Sequence, residues 1–270
     1  MTEQLTKNRW DTVGQATFRV IQILAIIFCI APALIVLLYS FYEDVFINFP
    51  PVRPGLGLYE NLFTQKRWLD AIWVSFLICI PAALLTVLLV VPAAIALERA
   101  KIRNRDALEF TALIPMLIPT TAYAVGVYII YLEAGLVGNY WGIIFTESIV
   151  AAPASFLIVR AALRRLPHNL DQVAMSLGAS RLKALLDVTV RLLIPAMAVS
   201  TLFAFIHAFN DATFIVFLAG PGTATVAKTI FDALAYAIEP EVAALSGVFM
   251  LFVMLLVVVG QVVRRKTQPR

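Results

Sequence analysis

The stretch Arg160-AALRRLPHNLDQVAMSLGASRLKALLDVTVRLLI-Pro195 sets Arg160, Arg164, Arg165, Asp171, Arg181, Lys183, Asp187 and Arg191 between two apolar runs. Leu170 to Gly178 has the composition of a short helix, closed by a glycine able to take the left-handed conformation of a helix cap. Ser180 is an N-cap residue type ahead of Arg181. Beyond it Leu182, Leu185, Leu186 and Val190 recur at helical spacing. The expectation is a helix, a glycine turn and a second amphipathic helix lying on a membrane surface. Such an element has the geometry of a lever with a soluble partner against it.

The rest of the 270 residues explains why a membrane is involved. The chain is 61% hydrophobic and 14% charged, whereas a soluble domain carries about 25% charged residues. Six runs read as spans, near residues 20–42, 69–97, 108–132, 141–163, 192–218 and 242–263. The first is too long for a signal-peptide core and Tyr39-Ser-Phe-Tyr-Glu-Asp44 follows it, so it reads as retained. Trp68, Trp73, Tyr140 and Trp141 fall near span ends, where interfacial aromatics gather. Pro32, Pro81, Pro92, Pro115, Pro119 and Pro153 lie within spans and read as kinks.

Orientation follows from the positive residues. Of the 21 lysines and arginines, all but Arg53, Lys66, Arg67 and Lys228 fall in alternate segments that begin at the N-terminus. Positive residues mark the cytoplasmic side. The expected architecture is all-α and polytopic: six transmembrane helices, both termini cytoplasmic. It comprises a cytoplasmic segment 1–19, a transmembrane domain 20–263 with a cytoplasmic coupling-helix loop within 164–191, and a cytoplasmic tail 264–270. The net charge of +4 sits in short loops, which argues against a nucleic-acid partner. The basic loop Arg99, Lys101, Arg103 and Arg105 is read as a topology signal touching anionic lipid.

Catalytic chemistry has no foothold. There is no phosphate-binding Gly-x-x-x-x-Gly-Lys-Ser/Thr motif, no Cys/His cluster at metal spacing and no assembled triad. Cys29 and Cys79 lie singly in apolar runs and read as small buried hydrophobes. His168 falls in the polar loop and His207 in the fifth span, where a lone histidine reads as a satisfied structural residue. No cofactor or metal is expected on this chain.

The polar stretch resembles the Glu-Ala-Ala ("EAA") loop of permease subunits from binding-protein-dependent ABC importers. The family pattern lands on Gln172, Val173 and Ala174, then Gly178, then Val188, Val190 and Arg191. Ala174 and Gly178 match, and Leu177-Gly-Ala-Ser180 is a form common in the family. Gln172 replaces the family's Glu, with Asp171 adjacent, and Arg191 replaces its Pro, with Pro195 four residues on. Leu113-Ile-Pro-Met-Leu-Ile-Pro119, Phe209-Asn-Asp211, Phe217-Leu-Ala-Gly-Pro-Gly222 and Glu239-Pro-Glu-Val-Ala-Ala-Leu245 extend the similarity. Together they resemble the second permease subunit of spermidine/putrescine and opine systems.

The resemblance implies a bacterial inner-membrane subunit that forms half of a substrate pathway. Its partners are a second permease subunit as heterodimer, two ATPase subunits that bind ATP and Mg, and an extracytoplasmic substrate-binding protein. Asp171, Gln172, Val173, Ala174, Leu177, Gly178, Ala179 and Ser180 are the expected ATPase-coupling residues. They dock by shape more than through the missing Glu.

The implied substrate is a polyamine-like or opine-like organic cation. The alternatives are aminoethylphosphonate, ferric iron or thiamine import, or a stand-alone secondary carrier. Ionisable residues inside spans are costly and face a cavity or a partner. Asp211, read as lying in the outer part of the fifth span, is therefore either the leading pathway residue, offsetting a cation's lost hydration, or a cap or partner for a neighbouring helix, including one of the second permease. Asn210, Thr201, Phe205 and Tyr123 follow, with Tyr128, Thr120 and Thr121 weaker.

Overall fold

A computed structural model describes residues 2–43, 53–99, 102–167, 169–236 and 239–267, without the side chains of 2–14, 16 and 255–267. Pro50, Pro51, Lys101, His168 and Arg270 lie outside the described residues, as do the side chains of Lys7, Arg9, Arg264, Arg265 and Lys266. The order is α1 (Thr2–Tyr39), α2 (Gly57–Thr64), α3 (Lys66–Arg99), α4 (Arg105–Leu113), a 3₁₀ turn Ile114–Leu117, α5 (Thr120–Ala134) and α6 (Tyr140–Leu163). Then come α7 (Leu170–Ser176), α8 (Arg181–Ala184), a π-helical turn Leu185–Val190, α9 (Arg191–Asn210), α10 (Thr213–Leu218), α11 (Val226–Tyr236) and α12 (Glu241–Thr267). No strand occurs among the described residues.

Two compact units are built from these helices. The larger, Arg67–Ala235, buries two stacked apolar clusters. One joins Val74, Ile78 and Ala82 of α3 to Ile143 and Ile144 of α6 and to Phe214, Ile215 and Leu218 of α10. The other joins Val87, Val90, Val91 and Ala94 to Phe156, Val159, Leu163 and Leu193. Between them Ala83, Ala151 and Ala204 meet. Small residues at such contacts let membrane helices approach closely, where packing rather than water exclusion holds them.

The smaller unit takes residues 1–66 and 236–270. In it α1, α2 and α12 pack together. The Tyr59 hydroxyl donates to Ser40 Oγ at 2.8 Å, and Ser40 donates to the Leu37 carbonyl at 2.6 Å. Gly247 is required there: a Cβ at that position would sit 2.5 Å from the Tyr59 oxygen and 3.0 Å from Ser40 Oγ.

The expectation of six spans is corrected. Four helices among the described residues are long and apolar enough to cross a membrane: Thr17–Tyr39, Lys66–Arg99, Tyr140–Leu163 and Arg181–Asn210. A fifth is counted only if Arg105–Leu117 and Thr120–Ala134 are taken as one span, and these are bent by 97°. The cause is Pro119. It forces Ile118 out of the helical region, to φ −83 and ψ 130.

The run read as 192–218 also breaks. Asp211 turns extended (ψ 109) and ends α9. In the last run the described apolar part, Glu241–Met254, is shorter than a span. The even number of spans that went with the charge asymmetry is met by four among the described residues and not by five. The helices pass through Pro32, Pro81, Pro92, Pro153 and Pro195 without a break.

Candidate functional site

The polar stretch folds as two short helices around Gly178. α7 ends with the Gly178 N–H on the Met175 carbonyl (3.0 Å) and the Ala179 N–H on the Ala174 carbonyl (3.1 Å). This is the double bond pattern of a Schellman cap, and it needs a left-handed residue at Gly178, whose φ is +95. A Cβ there would meet nothing within 4 Å, so backbone conformation alone selects glycine. Ser180 Oγ then accepts from the Lys183 N–H, opening α8. Gln172, Val173, Leu177 and Leu182 are exposed, Leu177 at 85%. The loop thus presents an unpartnered apolar rim on a rigid turn.

Asp171 faces the other way. Its carboxylate pairs with Arg99 at the end of α3 and accepts from Thr189 Oγ1 at 2.6 Å in the π-helical turn. Three elements are therefore fastened through one side chain. A cavity of about 760 Å³ beside it is lined by Ile95, Arg99, Asp171, Met175 and Leu185.

A second charge network lies beneath. Arg160 pairs with both Glu98 and Glu109, and Glu98 also binds Arg105 and Arg164. Arg160 and Glu98 are only 5% and 6% exposed. Arg99 and Arg105 thus hold carboxylates of this chain, where the sequence reading had assigned them to lipid.

The pathway candidates do not form one group. Thr201 donates to the Met197 carbonyl at 2.9 Å and lines a separate apolar groove of about 810 Å³. It stands about 15 Å along the helix axis from residue 211. Phe205 stacks with Phe76 (6.0 Å) and Phe209 (5.6 Å). Tyr123 packs edge-on against Phe214 at 5.3 Å, and Asn210 donates back to the Ile206 carbonyl at 2.8 Å.

Asp211 is not inside a span. It lies in the break after α9, where its Oδ1 accepts the N–H groups of Thr213 (2.6 Å) and Phe214 (3.2 Å) and starts α10. The structure brings Asp211 together with two residues outside the candidate set, Glu147 and His207, with one ligand atom of each within 4.8 Å of the others.

Residues 55–270 match the family model described as binding-protein-dependent transport system inner membrane component. The chain belongs to this family. It is an ABC-importer permease subunit that works with an ATPase partner, a multi-pass inner-membrane protein and not an enzyme. The permease is 25% identical over 241 residues to the putrescine transport system permease protein PotI of Escherichia coli strain K12, covering 84% of this chain and 83% of the relative. It is 26% identical over 226 residues to a Salmonella paratyphi A protein described as a 2-aminoethylphosphonate transport system permease, PhnV, covering 83% and 84%. A crystal structure of a bacterial ABC transporter that imports the acidic polysaccharide alginate shares the fold. Its TM-score is 0.74 at 16% identity, over 96% of this chain and 98% of that one.

Sequence reasoning passed over Glu147. An acid inside the apolar run 141–163 is itself a signal, because a carboxylate at membrane depth needs a counterpart. It is fully buried with both oxygens unpartnered. His207, read as satisfied, has a buried Nδ1 without a partner.

Proposed function

We propose that this permease forms half of the substrate pathway of an importer for polyamine-like or opine-like small organic cations. A second permease subunit, two ATPase subunits and an external binding protein complete the assembly. The observation that carries the coupling role is the Gly178 turn, with its exposed apolar rim and the Asp171 link to Arg99 and Thr189.

The ATPase grips Val173, Leu177 and the turn Gly178-Ala179-Ser180 by shape, since Gln172 carries no charge. Motion of α7 passes through Asp171 to the end of α3 and to the turn that leads into α9. Ala174 closes the cap, so the helix moves as one body. ATP binding closes the ATPase pair, the coupling helices approach, and the pathway opens outward; hydrolysis resets it.

The substrate class is supported by Asp211 beside a second carboxylate, and by relatives named for putrescine and for an aminophosphonate, both of which carry a primary amine. Import of aminoethylphosphonate is the second reading, favoured by the relatives named for that solute, with ferric iron or thiamine as further alternatives. The test is uptake by the reconstituted complex with and without ATP, offering 1,4-diaminobutane, 2-aminoethylphosphonate and ferric ion in competition. ATP-dependent uptake of the diamine is the expected result. Exclusive uptake of iron would overturn the substrate class, and flux through this chain alone would overturn the ATP-driven mechanism.

A further inference from the structure

Among the described residues of the Arg67–Ala235 unit, one carboxyl group is fully buried without a hydrogen-bond partner. Glu147, on α6, is 0% exposed, and neither carboxylate oxygen has a hydrogen-bond partner. A buried polar group without a partner is costly, and a buried charge far more so. Two polar groups lie beside it. His207 Nδ1 on α9 is buried and unpartnered. Asp211, one helical turn further along, commits Oδ1 to the N-terminus of α10 and brings a second negative charge. With a ligand atom of each residue within 4.8 Å of the other two, the cluster gathers two carboxyl groups and an imidazole, and Glu147 and the His207 Nδ1 make no hydrogen bond within it.

We propose that Glu147, His207 and Asp211 form a binding site for a primary ammonium group, an inference that rests on the organic-cation reading above. The chemistry matches in number. An ammonium has three N–H donors and no acceptor, while the site offers two carboxylates and, in the neutral ring protonated on Nε2, an imidazole lone pair.

It also matches in size. Three acceptors placed tetrahedrally about 2.9 Å from a nitrogen stand about 4.7 Å apart. Three ligands about 2.1 Å from a zinc ion would stand about 3.4 Å apart, which a cluster within 4.8 Å also admits, so the titration with Zn²⁺ separates the two. Glu147 forms the closed base of the site. His207 and Asp211 are half-buried and leave an approach for the remainder of the ligand.

The site is tested on the purified complex of both permease subunits and the ATPase in nanodiscs, by titrating 1,4-diaminobutane and, separately, Zn²⁺ alone. Glu147→Gln keeps the shape and removes one charge. Asp211→Asn keeps an oxygen for the α10 amides and removes the other, so it carries the test if the first variant fails to assemble. Wild-type complex should bind the diamine, and each variant should weaken binding at least about tenfold, as expected for loss of one charged hydrogen-bond partner.

Unchanged binding in both variants would overturn the site. Zinc binding without amine binding would overturn it in favour of a metal ion. ATP-driven amine uptake with no binding that depends on these residues would overturn the site and spare the transport reading. Absence of any amine uptake would overturn both.

Discussion

Arg160 is the residue on which the lower part of the large unit depends. Its guanidinium answers two carboxylates, Glu98 and Glu109, and lies over the Phe156 ring at 5.8 Å. Replacing it with Met leaves Glu98 to Arg105 and Arg164 alone, the first at 37% and the second at 57% exposure. Removing one partner of a buried pair costs about 3–5 kcal/mol. Arg160→Met should therefore lower the thermal unfolding midpoint of the purified complex, and Arg160→Lys should restore only part of the loss, because Lys lacks the planar fork that serves two carboxylates. Asp171→Asn weakens a pair that is 16% and 20% exposed but keeps an oxygen for Thr189, so it should lower that midpoint by less than Arg160→Met, yet strongly reduce ATP-driven uptake. Equal effects of Asp171→Asn on stability and uptake would count against its role as a link.

At this scale the sequence was partly legible. Gly178 announced a capped turn because glycine followed by Ala-Ser ends one helix and starts another. The partners of Asp171 and Arg160 were not legible, since Arg99 and Glu98 lie more than sixty positions away in the chain.

Among the elements, hydropathy marked where the chain is apolar and not where it turns. Leu108–Leu132 reads as one run, but Pro119 removes a backbone donor and forces Ile118 extended, so α4 and α5 meet at 97°. The run 192–218 breaks because the Asp211 carboxylate satisfies the first amides of α10 better than a continued helix would. The Pro119 turn leaves the apolar count unchanged, and with the short last run it is why six spans were read where four, or five with the bent pair, stand among the described residues.

The packing of α1, α2 and α12 gives a prediction of its own. Gly247→Ala places a methyl against the Tyr59 hydroxyl and should destabilise the purified complex by about 1–3 kcal/mol, the range for overpacking. Tyr59→Phe removes the clashing oxygen. In the double variant a good part of the loss should return, as a double-mutant cycle on thermal unfolding will show. Strict additivity would mean that the two residues do not meet.

For the whole molecule, the claim is that motion imposed on a short exposed helix becomes movement of membrane helices. As in an ABC importer the work comes from the ATPase partner, and the Gly178 turn is the proposed point of entry. A valine there must hold a positive φ that β-branched residues rarely adopt, at about 1–2 kcal/mol in backbone strain alone. The cap melts before the helix clashes with anything, because the space beside Gly178 is open.

The direct measurement is the ratio of ATP hydrolysed to substrate imported, in proteoliposomes carrying the complete complex with Gly178 or with Gly178→Val. The expected result is continued hydrolysis with uptake largely lost, and partial recovery in Gly178→Asn, the side chain that best tolerates the left-handed conformation. An unchanged ratio in Gly178→Val, in a complex shown to be assembled, would contradict the account.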